Sequence, residues 1–111
     1  MPRIPGISGS LRRGSCDTAL LNAAVALVDA GTELEIASIR GAPLYDGDVE
    51  TSQGVPQTVQ DVKARVIACD GLLLATPEYN NGIPGVFKNA IDWMSRPAAD
   101  LPRYSATVRS R

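Results

Sequence analysis

Two stretches of this chain carry residue types that can do chemistry. Both suit the holding of a flat, phosphorylated molecule better than attack on a bond. The longer stretch runs from Thr76 through Pro77, Glu78, Tyr79, Asn80, Asn81, Gly82, Ile83 and Pro84 to Gly85, then into Val86-Phe87-Lys88-Asn89-Ala90-Ile91-Asp92-Trp93. Pro77 and Pro84 stiffen it, which lowers the entropy lost in presenting its backbone N–H groups. Tyr79 can lie against a ring. Asn80 and Asn81 tolerate left-handed backbone angles and carry amide donors and acceptors. A rigid strand-to-helix connection with Tyr79 at the surface needs the same residues; the binding reading is modestly favoured.

The shorter stretch is Gly6-Ile7-Ser8-Gly9-Ser10-Leu11-Arg12-Arg13-Gly14-Ser15. Ser8, Ser10 and Ser15 offer hydroxyls, Arg12 and Arg13 offer charge, and the helix that follows offers unpaired N–H groups at its positive end. This suits a phosphate. A serine-capped helix start after a tight turn suits it equally, and the two readings stand about even. The spacing matches neither Gly-x-Gly-x-x-Gly nor Gly-x-x-x-x-Gly-Lys.

The chain has no histidine, which removes Ser-His-Asp and Cys-His catalysis and the usual zinc sites. We expect no catalytic side chain and no metal site, with the chemistry carried by a cofactor. Asp46, Asp48 and Glu50 lack the rest of a calcium loop and read as a solvated loop. Cys16 and Cys69 form neither a disulfide framework nor a metal cluster. Cys69 reads as a small buried residue, and Cys16 as a passive residue of the first loop.

These stretches need elements to position them. Ile4–Ser8 reads as a strand, with Pro5 awkward for a central one because it lacks a donor. Thr18–Ala30 reads as a helix burying Leu20, Leu21, Ala24, Leu27 and Val28, with Gly31 as its C-cap. Glu33–Ile36 alternates like an edge strand, and Arg40–Gly54 reads as loop. Pro56 can start the next helix, with Val59, Val62, Val66 and Ile67 as its stripe. Leu72–Ala75 reads as a strand covered on both faces. A helix from about Gly85 to Met94 has a wide apolar surface, part of which should meet another subunit or a ligand. Alternating strands and helices imply an α/β fold with a parallel sheet. The order 2-1-3 puts both stretches at one crevice, at the carboxyl ends of strands 1 and 3. Together they suggest a flavin mononucleotide site.

The chain has 111 residues, 44% of them hydrophobic and 21% charged, with a net charge of −1. These values fit one ordinary globular domain at most. They provide no field for nucleic acid or anionic membrane. No apolar run is long enough to span a bilayer, and Met1–Pro5 lacks a signal-peptide core. A cytoplasmic location is the expectation.

The quoted motifs, Gly6–Arg12 with Gly14-Ser15 and Pro77–Asn80 through Pro84-Gly85 to Lys88–Trp93, resemble the NADPH-dependent FMN reductase family. The resemblance covers roughly residues 3 to 97. It implies a flavodoxin-like, three-layer, doubly wound parallel sheet and bound FMN. It further implies hydride transfer from NADPH or NADH to the flavin, then to a small-molecule electron acceptor: a quinone, azo dye, metal oxyanion or free flavin. It implies that Ser10, Arg12, Ser15 and the residue at position 17 hold the phosphate end. Pro77, Glu78, Tyr79 and Asn80 would line the isoalloxazine edge, and the protein would form a homodimer or homotetramer. Position 17 is usually asparagine in this motif and is Asp17 here, a carboxylate that Arg12 or Arg13 must offset.

Residues 1–97 therefore read as the N-terminal part of an FMN-binding domain, truncated after the third βα unit. Residues 98–111 form an atypical tail without a strand pattern. Read from the last base of the Arg103 codon, suitable codons spell Val-Phe-Ser-Asn-Arg-Pro-Val-Ala, which resembles the family's entry into strand 4; a frameshift is the expectation. Truncation would leave strand 3 as an unprotected edge. The rival readings are a non-enzymatic flavodoxin-like electron carrier and an inactive fragment without cofactor.

Overall fold

A computed structural model describes residues 1–97 of the chain. The tail at 98–111, with the frameshift expected there, lies outside the described residues. The elements are β1 (Arg3–Ser8), α1 (Cys16–Leu27), β2 (Glu33–Ile36), α2 (Gly47–Gln53), α3 (Gln57–Ile67), β3 (Leu73–Ala75) and α4 (Gly85–Met94). The sheet is parallel with order β2-β1-β3, as the alternation of strands and helices implied.

Strand β1 alternates between two layers. Its Gly6 faces α1, where a Cβ would touch Leu21 and Leu34. Its Ile7 faces the other way, into a cluster with Val59 and Val62 of α3 and Phe87, Ala90, Trp93 and Met94 of α4. Trp93 is fully buried at its centre. Helices thus cover both faces of the sheet, giving the three layers of a doubly wound fold.

Pro5 sits in the central strand without breaking the sheet, for a reason visible in the ladder. The Pro2 and Gly6 carbonyls accept from Glu33 and Ala37 on the β2 side, whereas the Arg3 carbonyl accepts from Asp70 on the β3 side. Pro5 shares the side of Arg3. Pairing with β3 starts only at Gly6 opposite Leu73, so the missing N–H falls ahead of that ladder.

Several local expectations are corrected. Helix α1 begins at Cys16 and ends at Val28 as C-cap, before Gly31. Cys16 is therefore an exposed helical residue rather than a loop residue. Only Leu21 of its expected stripe is buried; Leu20 and Leu27 are 63% and 84% exposed. The stretch read as loop contains α2, which buries no residue and is capped by Asp46, whose carboxylate accepts from Asp48 N at 2.9 Å. In α3, Ile67 is exposed and Lys63 is buried instead, its Nζ donating to the Arg96 carbonyl. Burial pushes that ammonium below its ordinary pKa. Leu72 falls outside β3, and Leu73 and Leu74 are 38% and 46% exposed rather than covered. Cys69 is partly buried, with Sγ against the Val66 carbonyl.

Candidate functional site

The loop after β1 is held by its own hydroxyls. Ser8 Oγ donates to the Ser10 carbonyl and accepts from Ser10 N, both at 3.2 Å, and Thr18 Oγ1 of α1 donates to Ser8 Oγ at 2.9 Å. Arg12 N points to Ser10 Oγ at 3.4 Å, and Arg12 Nη2 donates to the Gly14 carbonyl at 2.9 Å. Ser15 is buried as the N-cap of α1, its Oγ accepting from Thr18 N at 3.2 Å. Asp17 lies in the first turn of α1, where a carboxylate complements the helix dipole.

This loop is joined to both neighbouring strands. Gly9 N donates to the Ala75 carbonyl of β3 at 2.8 Å. On the other side, the Arg40 guanidinium, just past β2, donates to the Leu11 carbonyl. Between the loop and the end of β2 lies a cavity of about 230 Å³, walled in part by Ser10, Arg12, Arg13, Thr18, Ser38 and Arg40. Among the described residues no carboxylate lines it. Among the described residues none of the three arginines is in an ion pair. Three cations and several hydroxyls around one hollow leave a site whose donors match a phosphate monoester.

The loop after β3 lies on the opposite side of β1. Tyr79 and Gly82 exchange both backbone hydrogen bonds, at 2.9 and 3.0 Å. Between them Asn80 and Asn81 have φ of 52° and 63°, the two left-handed angles of a type I′ turn. This turn projects Tyr79, which is 55% exposed. Pro77 is half-buried and Glu78 exposed. Buried Pro84 is the N-cap of α4 and its carbonyl accepts from Phe87 and Lys88. The structure therefore brings Ser10 and Arg12 together in the cavity. Ser15 and Asp17 sit at the adjoining start of α1, and Pro77–Asn80 lie apart from that cavity, after β3 at the same end of the sheet.

Two cavity residues, Ser38 and Arg40, were not among the site residues expected from sequence, Arg40 being read only as the start of a loop. Their signal was present in the alternation of Ala37, Ser38, Ile39 and Arg40. Ala37 and Ile39 are buried in the α3–α4 layer, so Ser38 and Arg40 fall to the α1 side.

A second network braces α4. Trp93 Nε1 and Asn89 Nδ2 both donate to the Pro43 carbonyl, at 2.7 and 2.9 Å. Tyr45 stacks edge-on against Trp93 at 4.9 Å, and its hydroxyl donates to Glu50 at 3.0 Å. Arg96 Nε reaches both Glu50 oxygens at 3.0 Å. The Arg96 guanidinium lowers the Glu50 pKa, and the bond to Glu50 raises that of Tyr45. Glu50, read from sequence as part of a solvated loop, thus ties α2 to Tyr45 and to Arg96 just past the end of α4.

Fold, cavity and turn define a doubly wound protein with an arginine-lined cavity and a proline-flanked second loop at the carboxyl ends of its strands. The model of the NADPH-dependent FMN reductase family matches residues 2–108. The chain belongs to that family. It is 50% identical over 95 residues to an NAD(P)H-dependent FMN reductase of Pseudomonas aeruginosa, covering 86% of this chain and 51% of the relative. It is 42% identical over 89 residues to a quinone reductase of Escherichia coli, covering 79% and 47%. Among solved structures it is similar to the flavoenzyme NAD(P)H:(acceptor) oxidoreductase FerB from Paracoccus denitrificans, with TM-score 0.76 and 34% identity over 87% of this chain and 52% of that one. The chain spans about half the length of the curated relatives it matches. No helix among the described residues is long and apolar enough to cross a membrane.

Proposed function

We propose that residues 1–97 form the N-terminal, cofactor-holding part of an NAD(P)H-dependent FMN reductase-type oxidoreductase. Its reaction is hydride transfer from a nicotinamide to FMN, then to a small-molecule acceptor in the cytoplasm. The names of its relatives favour a quinone as that acceptor. The observation that carries the reading is the cavity walled by Arg12, Arg13 and Arg40, at the same end of the sheet as the Tyr79–Gly82 turn.

In this reading Ser10 and Arg12 hold the phosphate end, with Ser15 fixing the helix start whose N–H groups face it. Arg12 or Arg13 offsets the carboxylate of Asp17. Pro77, Glu78, Tyr79 and Asn80 border the ring edge, chiefly through backbone groups of a turn already shaped before binding. When bound, FMN supplies the hydride chemistry, and no side chain has to act as acid or base. Part of the apolar α4 surface, such as exposed Val86, meets a second subunit in a homodimer or homotetramer.

The test is titration of FMN with the purified 111-residue chain, followed by quenching of flavin fluorescence, then by NADPH oxidation with a quinone. Saturable, near-stoichiometric quenching and turnover support the reading. Quenching without nicotinamide oxidation favours an electron carrier. A folded chain that binds no flavin refutes it.

A further inference from the structure

Arg40 stands outside the motifs that mark the first loop, yet the fold delivers it to that loop. Past β2 the chain continues to alternate, with Ala37 and Ile39 in the core and Ser38 and Arg40 on the α1 side. Ser38 Oγ accepts from Arg40 N at 3.1 Å, which fixes the backbone there. Gly41, at φ 87°, then turns the chain away, so Arg40 is the last residue of this segment to line the cavity. Its guanidinium carries five N–H donors in a rigid fork. One of its nitrogens donates to the Leu11 carbonyl, and among the described residues the rest of the fork has no partner. Arg12, by contrast, curls back onto Gly14 of its own loop.

We propose that Arg40 is a positioning and specificity residue of the phosphate end. It holds the first loop open through Leu11 and offers its remaining donors to the phosphate, so that the site selects FMN over riboflavin. This rests on the FMN reading for the flavin but on the cavity alone for the anion. Arg40→Gln removes the charge and shortens the side chain, losing both the Leu11 brace and the donors for the phosphate; Arg40→Lys keeps the charge and loses the fork.

Two probes test it, each applied to the 111-residue chain and to its Arg40→Gln and Arg40→Lys variants, with folding checked by circular dichroism. Inorganic phosphate should raise the melting temperature of the wild type and leave Arg40→Gln almost unmoved. FMN affinity should fall about tenfold in Arg40→Gln, the scale of one charge-assisted hydrogen bond, and less in Arg40→Lys. Riboflavin affinity should change by less than about twofold. Equal losses for FMN and riboflavin, or an unchanged response to phosphate and FMN, overturn the proposal. Stabilisation by phosphate that depends on Arg40, with neither flavin bound, would overturn the FMN reading and the selection of FMN over riboflavin, and leave Arg40 as a phosphate ligand only. If Arg40→Gln does not fold, the Arg40→Lys variant decides: an FMN affinity equal to that of the wild type, with phosphate failing to stabilise either protein, overturns the proposal.

Discussion

Gly9 and Thr76 touch so closely that a Cβ on residue 9 would lie 2.4 Å from Thr76 Oγ1 and 2.8 Å from its Cβ. This contact, with the hydrogen bond from Gly9 N to the Ala75 carbonyl, makes one continuous floor from the ends of β1 and β3. Gly9→Ala should therefore force the two loops apart. Overpacking of this kind costs about 1–3 kcal/mol. Urea unfolding should show that loss, and flavin titration a weaker complex.

The left-handed turn makes a second prediction. Asn80 and Asn81 both sit at positive φ, where a residue with an ordinary Cβ is strained and glycine is not. Asn81→Gly should keep or slightly raise stability. Asn81→Val should cost about 1–2 kcal/mol and disorder the Tyr79–Gly82 pairing. Proteolysis of the loop and urea unfolding would separate the two variants.

The bridge at Glu50 sets a pH dependence. Its carboxyl titrates below its ordinary value of 4.5, chiefly through the bond to Arg96. The stabilisation is therefore fully present above pH 4.5 and is lost as pH falls through the depressed folded value. Tyr45 titrates above its ordinary value of 10.0, chiefly through the bond to Glu50. Its contribution is present below pH 10 and is lost as pH rises through the folded value. Glu50→Gln should flatten both limbs of a stability–pH profile measured by thermal unfolding. An unchanged acid limb would show that other carboxylates set it.

Strand β3 has one neighbour in the described sheet, and Leu74 on it is nearly half exposed. Unpaired, apolar strand edges recruit other chains, and lysine on the edge blocks them. Sedimentation of the 111-residue chain should show concentration-dependent association that Leu74→Lys reduces. Identical sedimentation of the two would locate the self-association elsewhere.

The features legible in the sequence were those encoded by neighbours along the chain. The alternation of strands and helices implied a parallel sheet, the edge-like pattern of Glu33–Ile36 suggested the order 2-1-3, and the apolar positions between Val86 and Met94 marked α4 with its bounds. Asn80 and Asn81 announced their backbone angles through their residue type. Helix α2 escaped because it is held by the Asp46 cap and the Glu50 bridge, not by an apolar stripe. Leu20 and Leu27 misled because a helical period says which residues share a face, not whether anything covers it. The alternation of Ala37, Ser38, Ile39 and Arg40 told which face Ser38 and Arg40 take, but not that parallel pairing sets the end of β2 beside the first loop. That pairing is a contact between distant parts of the chain, and spacing alone does not contain it.

The stitching of the first loop also sets when the pocket can exist. Its serines and its first two arginines precede α1, but its shape depends on Leu11 meeting Arg40 and on Gly9 meeting Ala75. Contacts between residues so far apart in sequence form late, after the intervening segments have closed. During synthesis the chain must therefore emerge past Ala75 before the first loop can make both of the contacts that shape the pocket. The motif is translated first and matures last.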